Sequence, residues 1–326
     1  MVTIRDVAKQ AGVSASTASR ALRNSPLISM ATREKVKRIA EKLNYTPNFT
    51  AHNLATNVNN TIGIVFPVDK GDLHKNPFYI ELIEGINQVV NPQQIFVTVA
   101  IGNTVEELLQ NIKMMIDNSR INQFILLYSS EDDPILSYLQ ERKVDYTLIG
   151  KPYRDANRIP YVDNDNVSAG LDATEVLIRQ GHRTIGYAYT SSSRLVQTDR
   201  LIGFHEALRR HTLYGYDLLF EDEVDDKAIR GFLQNHSEVS AILASDDILA
   251  FLVQKAVQRV APDRQIKLMG FNDSLFAELA EPKISTVQIY PKRLGRAAAQ
   301  LMLQMRAHDR SEPAAKIIVP YKLVIR

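Results

Sequence analysis

The chain has 326 residues, 45% hydrophobic and 23% charged, with 39 Lys or Arg against 37 Asp or Glu and a formal net charge of +2. That length accommodates a small module beside a large body able to bury real cores. The absence of cysteine excludes disulfides, thiol catalysis and thiolate metal sites, and no apolar run approaches the ~18 residues that a membrane-spanning helix needs.

The opening segment begins with a helix cap rather than a charged-then-apolar leader, which sets the expectation of a chain that is not exported and works in the cytoplasm. Thr3 stands three residues before Asp6, so its hydroxyl can cap a first helix whose first turn also gains from the carboxylate. Val7, Ala8 and Ala11 then fall on one face, and Gly12 supplies the backbone freedom of a sharp turn. Ser14 caps a second helix running to about Leu22, with Ala18, Ala21 and Leu22 inward and Ala15, Ser16, Ser19 and Arg20 outward. Such a small, polar row suits close approach to a DNA groove, and Arg20 has the reach and fork geometry for a guanine edge. Ser29 caps a third helix in which Val36, Ile39, Ala40 and Leu43 repeat at helical spacing.

Charge points the same way. Residues 1–60 carry nine Lys or Arg and three acids, a balance of +6, so the rest of a chain that is +2 overall carries −4. A basic head on a mildly acidic body is the footprint of a module that neutralises phosphates.

From Asn48 to about Thr56 the residues are helix-compatible, with one large apolar side chain, Leu54. A helix of roughly eight residues is unstable alone in water, because nucleation costs more than so few hydrogen bonds return. It is expected to form only when held by DNA and a partner. Leu54 either serves that contact or packs between head and body.

Past Asn60 the pattern turns to alternating strand and helix. Strands are predicted at Ile62–Phe66, Ile95–Ala100, Phe124–Leu127 and Tyr146–Ile149, with helices near Phe78–Val90, Val105–Asp117 and Pro134–Arg142. A second series has strands at Thr184–Tyr189, Asp217–Phe220, Ala241–Leu243 and Lys267–Gly270, with helices near Val167–Gln180, Val196–Arg210, Asp226–Asn235 and Ile248–Val260. Two such arrays predict two parallel-sheet lobes, helices on both faces, and a ligand cleft at the carboxyl ends of the strands. A last helix near Lys292–Ala307 implies a return to the first lobe, and the Asp- and Asn-rich run Asp155–Asn166 marks the first crossover. The expected division is a helical head over 1–46, a hinge over 47–60 and a body over 61–326. Within the body, the first lobe takes about 61–160 and 291–318, and the second about 161–290 and 319–326.

The segment Thr3 to Leu22, with Leu43-Asn-Tyr-Thr-Pro-Asn48 and Ala51-His-Asn-Leu-Ala-Thr56, resembles the lactose/galactose repressor family of transcriptional regulators. The resemblance implies an all-α helix-turn-helix headpiece on an α/β, two-lobed body like that of periplasmic binding proteins. It implies Ala15, Ser16 and Arg20 as base readers, with only a methyl contact available at Ala15. Further DNA contacts are implied at Thr3, Ser14, Thr17, Ser19, Asn24 and Tyr45, and in the hinge at Asn48, Ala51, His52, Leu54 and Ala55. Leu54 would be the wedge that opens a minor-groove step. His52 and Asn53 stand where relatives commonly carry a basic residue followed by glycine or glutamine, which weakens the expected minor-groove contact.

In the body the resemblance rests on Asn76-Pro-Phe-Tyr79, Asp163-Asn-Asp-Asn166, Thr198-Asp-Arg-Leu-Ile-Gly-Phe204, Ala244-Ser-Asp-Asp247 and Gly270-Phe-Asn-Asp273. It implies an effector site of Arg200, Asn272, Asp246, Ser245 and Asp163, walled by Phe78 and Tyr79. Aromatic faces suit the C–H side of a sugar ring, and the polar side chains suit its hydroxyls. Other roles stand beside these: Asp246 and Asp273 as helix caps, Phe78 as plain core, Arg200 as an internal ion pair. Ile289, where some relatives place a glutamine, leaves only apolar contact to an effector. The run Asp163–Asn166 with Thr198-Asp-Arg200 resembles the maltose-operon repressor branch, which implies maltose or a related α-glucoside as effector. It also implies a homodimer on a near-palindromic double-stranded operator, with no membrane partner. A global catabolite regulator using a phosphocarrier protein as corepressor is the rival within the family, and a sugar-binding protein without DNA function is the rival outside it.

Catalysis is not expected. There is no GxSxG, no HExxH, no Walker loop and no GxGxxG after a strand, and the seven histidines are scattered. His182, in Gln180-Gly-His-Arg183, reads as a hydrogen bonder at a helix end. No cofactor is expected.

Overall fold

The structure is a computed structural model that describes residues 2–22, 24–45, 60–68, 76–190, 194–221, 224–305 and 314–326. It divides into two compact units, Met1–Asn59 and Asn60–Arg326. The predicted hinge residues Asn48, Ala51, His52, Leu54 and Ala55 lie outside the described residues.

The first unit contains α1 (Ile4–Ala11), α2 (Ala15–Leu22) and α3 (Met30–Lys42). Thr3 donates to Asp6 Oδ2 from both its backbone N–H (2.8 Å) and its hydroxyl (2.7 Å), and these bonds hold the Asp6 carboxyl below its ordinary range. Gly12 ends α1 in the left-handed region at φ 68, and Val13 N–H bonds back to Ala8 O. Ser14 Oγ accepts from Thr17 N–H at 3.1 Å to start α2, and Ser29 Oγ accepts from Thr32 N–H at 3.3 Å to start α3. Val7, Ala8, Ala11, Ala18, Ala21, Val36 and Ala40 make the buried core. Five of these seven are alanines, each with a single side-chain carbon, so the three helices approach closely.

The second unit contains two six-stranded sheets. The first uses β1 (Thr61–Val65), β2 (Phe96–Ala100), β3 (Gln123–Leu126), β4 (Asp145–Ile149), β5 (Tyr161–Asp163) and β11 (Lys316–Ile318) in the order β11-β5-β4-β3-β1-β2, all parallel. The second uses β6 (Thr184–Tyr189), β7 (Tyr214–Leu219), β8 (Ala241–Ala244), β9 (Lys267–Phe271), β10 (Ser285–Gln288) and β12 (Lys322–Val324) in the order β12-β10-β9-β8-β6-β7, with only β12 antiparallel. β5, β10, β11 and β12 were not among the predicted strands. They are three or four residues long, too short for an alternation to show.

Both sheets are covered on both faces, which is why their central strands are apolar throughout. On the first, α4 (Pro77–Val90) and α12 (Pro291–Met305) bury Leu82, Ile86, Leu294 and Met302 on one face. On the other, α5 (Val105–Asp117) and α6 (Pro134–Glu141) bury Leu108, Ile112, Ile135 and Leu139. The second sheet is covered by α7 (Asn166–Arg179) and α8 (Leu195–Arg210), and opposite them by α9 (Asp226–Asn235) and α10 (Asp247–Val260). A short helix, α11 (Leu275–Leu279), follows β9.

The chain passes between the sheets three times: from β5 to α7, from β10 to α12, and from β11 to β12. Because β5 still belongs to the first sheet, the first passage falls between Asp163 and Asn166, a few residues beyond 161. Each passage leaves the carboxyl end of its strand, so the same ends of both sheets meet at the boundary between the lobes. Among the described residues, no helix is long and apolar enough to cross a membrane.

Candidate functional site

In the first unit, Ser16 and Arg20 are exposed on α2 four residues apart, while Thr17 and Ser19 are half-buried. Ala15 is half-buried and packs partly against the small core, so it is not wholly outward as expected. With so few large side chains in that core, even the first residue of α2 is drawn into it. The hydroxyls of Ser14, Ser16 and Thr17 cluster at the start of the helix, with Oγ–Oγ contacts of 2.9 Å and 2.8 Å from Ser14. Thr3 is exposed, with its hydroxyl held by Asp6. Asn24 turns at φ 56 and its carbonyl accepts from Arg33 Nη1 at 3.2 Å. Tyr45 is half-buried against the core, and burial raises its hydroxyl above the ordinary value.

In the body, the predicted effector residues lie at strand carboxyl ends or at the helix starts that follow. Asp163 ends β5, Ser245 and Asp246 follow β8, Asn272 follows β9, and Arg200 lies in the second turn of α8. Arg200 is 4% exposed, with its guanidinium stacked on the Phe271 ring at 4.1 Å. Its Nε donates to Asn166 Oδ1 at 3.0 Å and its Nη1 to the Ser245 carbonyl at 2.6 Å, leaving Nη2 with no hydrogen bond among the described residues. Desolvation lowers its pKa, opposed by Tyr187, Asp246, Asp163 and Asp247. The expected alternative of an internal ion pair is therefore not what holds it: both hydrogen-bonded partners are neutral.

Ser245 is 1% exposed, and its Oγ has no hydrogen-bond partner among the described residues. A buried orphan hydroxyl costs free energy unless a ligand or water completes it. Asp163 Oδ1 accepts from Asn164 N–H (2.8 Å) and Asn166 Nδ2 (3.0 Å), and Oδ2 accepts from Lys151 N–H (2.9 Å). Burial still pushes its carboxyl up to about 6. Lys151 Nζ, on the first lobe, pairs with Asp199 Oδ2 of α8 at 3.4 Å across the boundary.

Phe78 packs against the cores of both lobes and contacts Tyr79 edge-on at 5.4 Å, whereas Tyr79 also lies on Phe66. Both are half-buried against the core, as the plain-core alternative for Phe78 expected. Asp246 Oδ1 accepts from Leu249 N–H at 2.8 Å and so caps α10. Asn272 and Asp273 both turn through the left-handed region, at φ 108 and 54, and the Asp273 carboxylate pairs with Arg326. Ile289, expected to offer an effector only apolar contact, is 3% exposed and packs in the same second-lobe core as Phe271. His182 bonds Ser240 Oγ at 2.9 Å through Nδ1, and desolvation lowers its pKa, which fits a neutral hydrogen bonder.

Sequence reasoning passed over Asn164, Asn166, Lys151 and Asp199. The first two stood inside the motif quoted for Asp163, where a run of short polar side chains at a predicted crossover was the available signal.

Residues 3–48 match the model of bacterial regulatory proteins of the lacI family, and residues 174–326 match a periplasmic binding protein-like domain. The regulator MalR of Streptococcus pneumoniae is 32% identical over 313 residues, covering 93% of this chain and 92% of that protein. MalR of Staphylococcus xylosus is 35% identical over 307 residues, covering 92% and 90%. Among solved structures, the transcriptional regulator CelR in complex with cellobiose is similar with a TM-score of 0.74 at 26% identity, covering 100% of this chain and 99% of that one. A probable staphylococcal maltose operon repressor MalR has a TM-score of 0.76 at 26% identity, covering 83% and 98%. The lac repressor dimer bound to operator shares the fold, with a TM-score of 0.79 at 20% identity over 100% of this chain and 98% of that one.

Proposed function

The chain belongs to the LacI family of bacterial regulatory proteins, and from that premise we propose that it represses sugar-utilisation genes and is released from its operator by maltose or a related α-glucoside bound between the lobes of its body. It is a DNA-binding transcriptional regulator. The observation that carries the effector site is a pair of polar groups side by side that lack a hydrogen bond among the described residues: Arg200 Nη2, and the Ser245 hydroxyl on the residue whose carbonyl holds the same guanidinium. A sugar hydroxyl accepts from the first and completes the second. The carboxylates of Asp246 and Asp163 stand near the arginine and offset its charge, which favours a neutral sugar over a phosphorylated one.

On the DNA side, Arg20 reaches a base edge from α2, Ser16 assists, and the hydroxyls at the start of α2 meet phosphates. A homodimer places two heads in successive major grooves. Its formation is supported by an apolar surface on edge strand β2 and the neighbouring α5, where Phe96 is 56%, Ile101 53% and Met114 45% exposed. Sugar binding shifts the balance toward the lobe arrangement that holds DNA less well, which requires tighter sugar binding to that state.

A thermal-shift screen of the full chain with maltose, maltodextrins, cellobiose, sucrose and glucose 6-phosphate tests this reading. Maltose or a maltodextrin is expected to raise the melting temperature and to weaken operator binding. A shift from none of them, or from glucose 6-phosphate alone, would reject the proposed effector.

A further inference from the structure

All three passages between the lobes are tied by one side chain. Asn164 lies on the first passage and is 5% exposed. Its Nδ2 donates to the carbonyl of Ile289 on the second passage at 3.2 Å and to the carbonyl of Val319 on the third at 2.8 Å. A primary amide is suited to this, since one nitrogen carries two hydrogens for two acceptors. A serine would offer one donor. An aspartate would set a carboxylate against two carbonyl oxygens.

The same segment leads to Arg200. Asn166 accepts from Arg200 Nε at 3.0 Å through Oδ1, and donates from Nδ2 to Asp163 Oδ1 at 3.0 Å and to the Asn164 carbonyl at 3.3 Å. Asn164 N–H bonds the same Asp163 oxygen at 2.8 Å. A contiguous set of hydrogen bonds thus runs from the buried Arg200 guanidinium to the three strands about which the lobes would turn. Displacing the arginine strains Asn166 first and the crossings next.

We propose that Asn164 is the pin of the hinge, holding the three passages at one mutual spacing so that the lobes turn about it without sliding, and that Asn166 carries movement of Arg200 to that pin. The second half rests on the cleft being the effector site; the first does not. Closure about such a pin is a hinge motion in which a few residues at element ends absorb the backbone change.

The chain lacks cysteine, so a single pair of labels can be placed at will. With cysteines at exposed Glu141 on α6 and Lys227 on α9, nitroxide distances report the separation of the lobes. Labelled chains are diluted into unlabelled ones to keep one pair per assembly. Without ligand, the parent is expected to give one narrow distance distribution, and Asn164→Ala a broad one. Asn164→Ser, which keeps one donor, is measured in parallel in case the alanine variant does not fold, and should lie between. A parent-like width in a folded variant, with only a lowered melting temperature, would make Asn164 an ordinary stabiliser and overturn the pin. Maltose is then added to the parent and to Asn166→Ala. The relay requires the sugar to move the parent's distance and to release operator by an ordinary allosteric factor of about 5–150, falling towards unity in Asn166→Ala despite retained sugar binding. Equal responses would overturn the relay. A parent unmoved by any sugar of the screen would count against the effector reading, while the ligand-free widths still judge the pin.

Discussion

Removing the Ser245 hydroxyl has opposite signs in the empty and occupied protein. Without ligand, Oγ is buried and unbonded, so Ser245→Ala discards an unsatisfied group and should leave stability unchanged or raise it by about 1 kcal/mol. With sugar bound, the same change deletes a completed hydrogen bond, and affinity should drop by a similar amount, which titration calorimetry with maltose would read. A rise in melting temperature with unchanged affinity would leave the hydroxyl a defect rather than a binding group. Asp247 titrates instead of binding. It is fully buried, accepts from Thr286 Oγ1 (2.6 Å) and Ser274 N–H (2.7 Å), and desolvation pushes its carboxyl from the ordinary 3.8 up to about 7. The folded chain therefore holds the proton over a range in which the unfolded chain has lost it. The contribution to stability is complete below about pH 4 and is lost as pH rises through about 7. Asp247→Asn supplies a donor to Thr286 and an acceptor to Ser274 without a titrating group. Its melting temperature should gain on the parent's across that window, and a constant difference would show that the carboxyl does not titrate there.

At the scale of elements, each lobe has one pair of helices brought together by glycines. A Cβ on Gly85 of α4 would meet the Lys292 carbonyl of α12, and one on Gly295 would meet the Leu82 carbonyl; Gly170 and Gly203 stand in the same relation on α7 and α8. The obstacles are backbone and cannot turn aside, so Gly203→Ala should cost about 1–3 kcal/mol. It would also displace the helix that carries Arg200, and sugar affinity should fall with it. Gly231 on α9 has nothing within 4 Å, and Gly231→Ala should instead gain up to about 1 kcal/mol from helix propensity. Thermal melts of both variants check the contrast, and a loss of equal size in each would mean that propensity, not approach, sets the cost. The long helices and the central strands were legible because apolar residues recur over enough turns to define a period. β5, β11 and β12 were not, since three residues define none, and these are the elements beside the passages. The proposed site follows the same limit. Arg200 and Ser245 came from local motifs, whereas the joining of Asn164 to Ile289 and Val319 spans 125 and 155 residues and leaves no local mark.

For the whole molecule, the decisive asymmetry is electrostatic: +6 within residues 1–60 against −4 in the rest, on a total of +2. Exposed lysines and arginines gain affinity for DNA by releasing counterions, and each neutralised phosphate contributes about −0.9 to the slope of log affinity against log salt. If each head makes several such contacts, operator affinity should fall about 10³–10⁵-fold between 50 and 200 mM salt, the range for 6–10 contacts. The proposed sugar site obeys a different rule. Arg200 is 4% exposed, its hydrogen-bonded partners are uncharged, and a neutral sugar brings no counterions to release. Maltose affinity, measured across the same salt series, should therefore stay constant within error while operator affinity collapses. A flat operator slope would deny phosphate-dominated grip by the head. A maltose affinity that followed salt would deny the shielded, charge-balanced site between the lobes, and with it the preference for an uncharged effector.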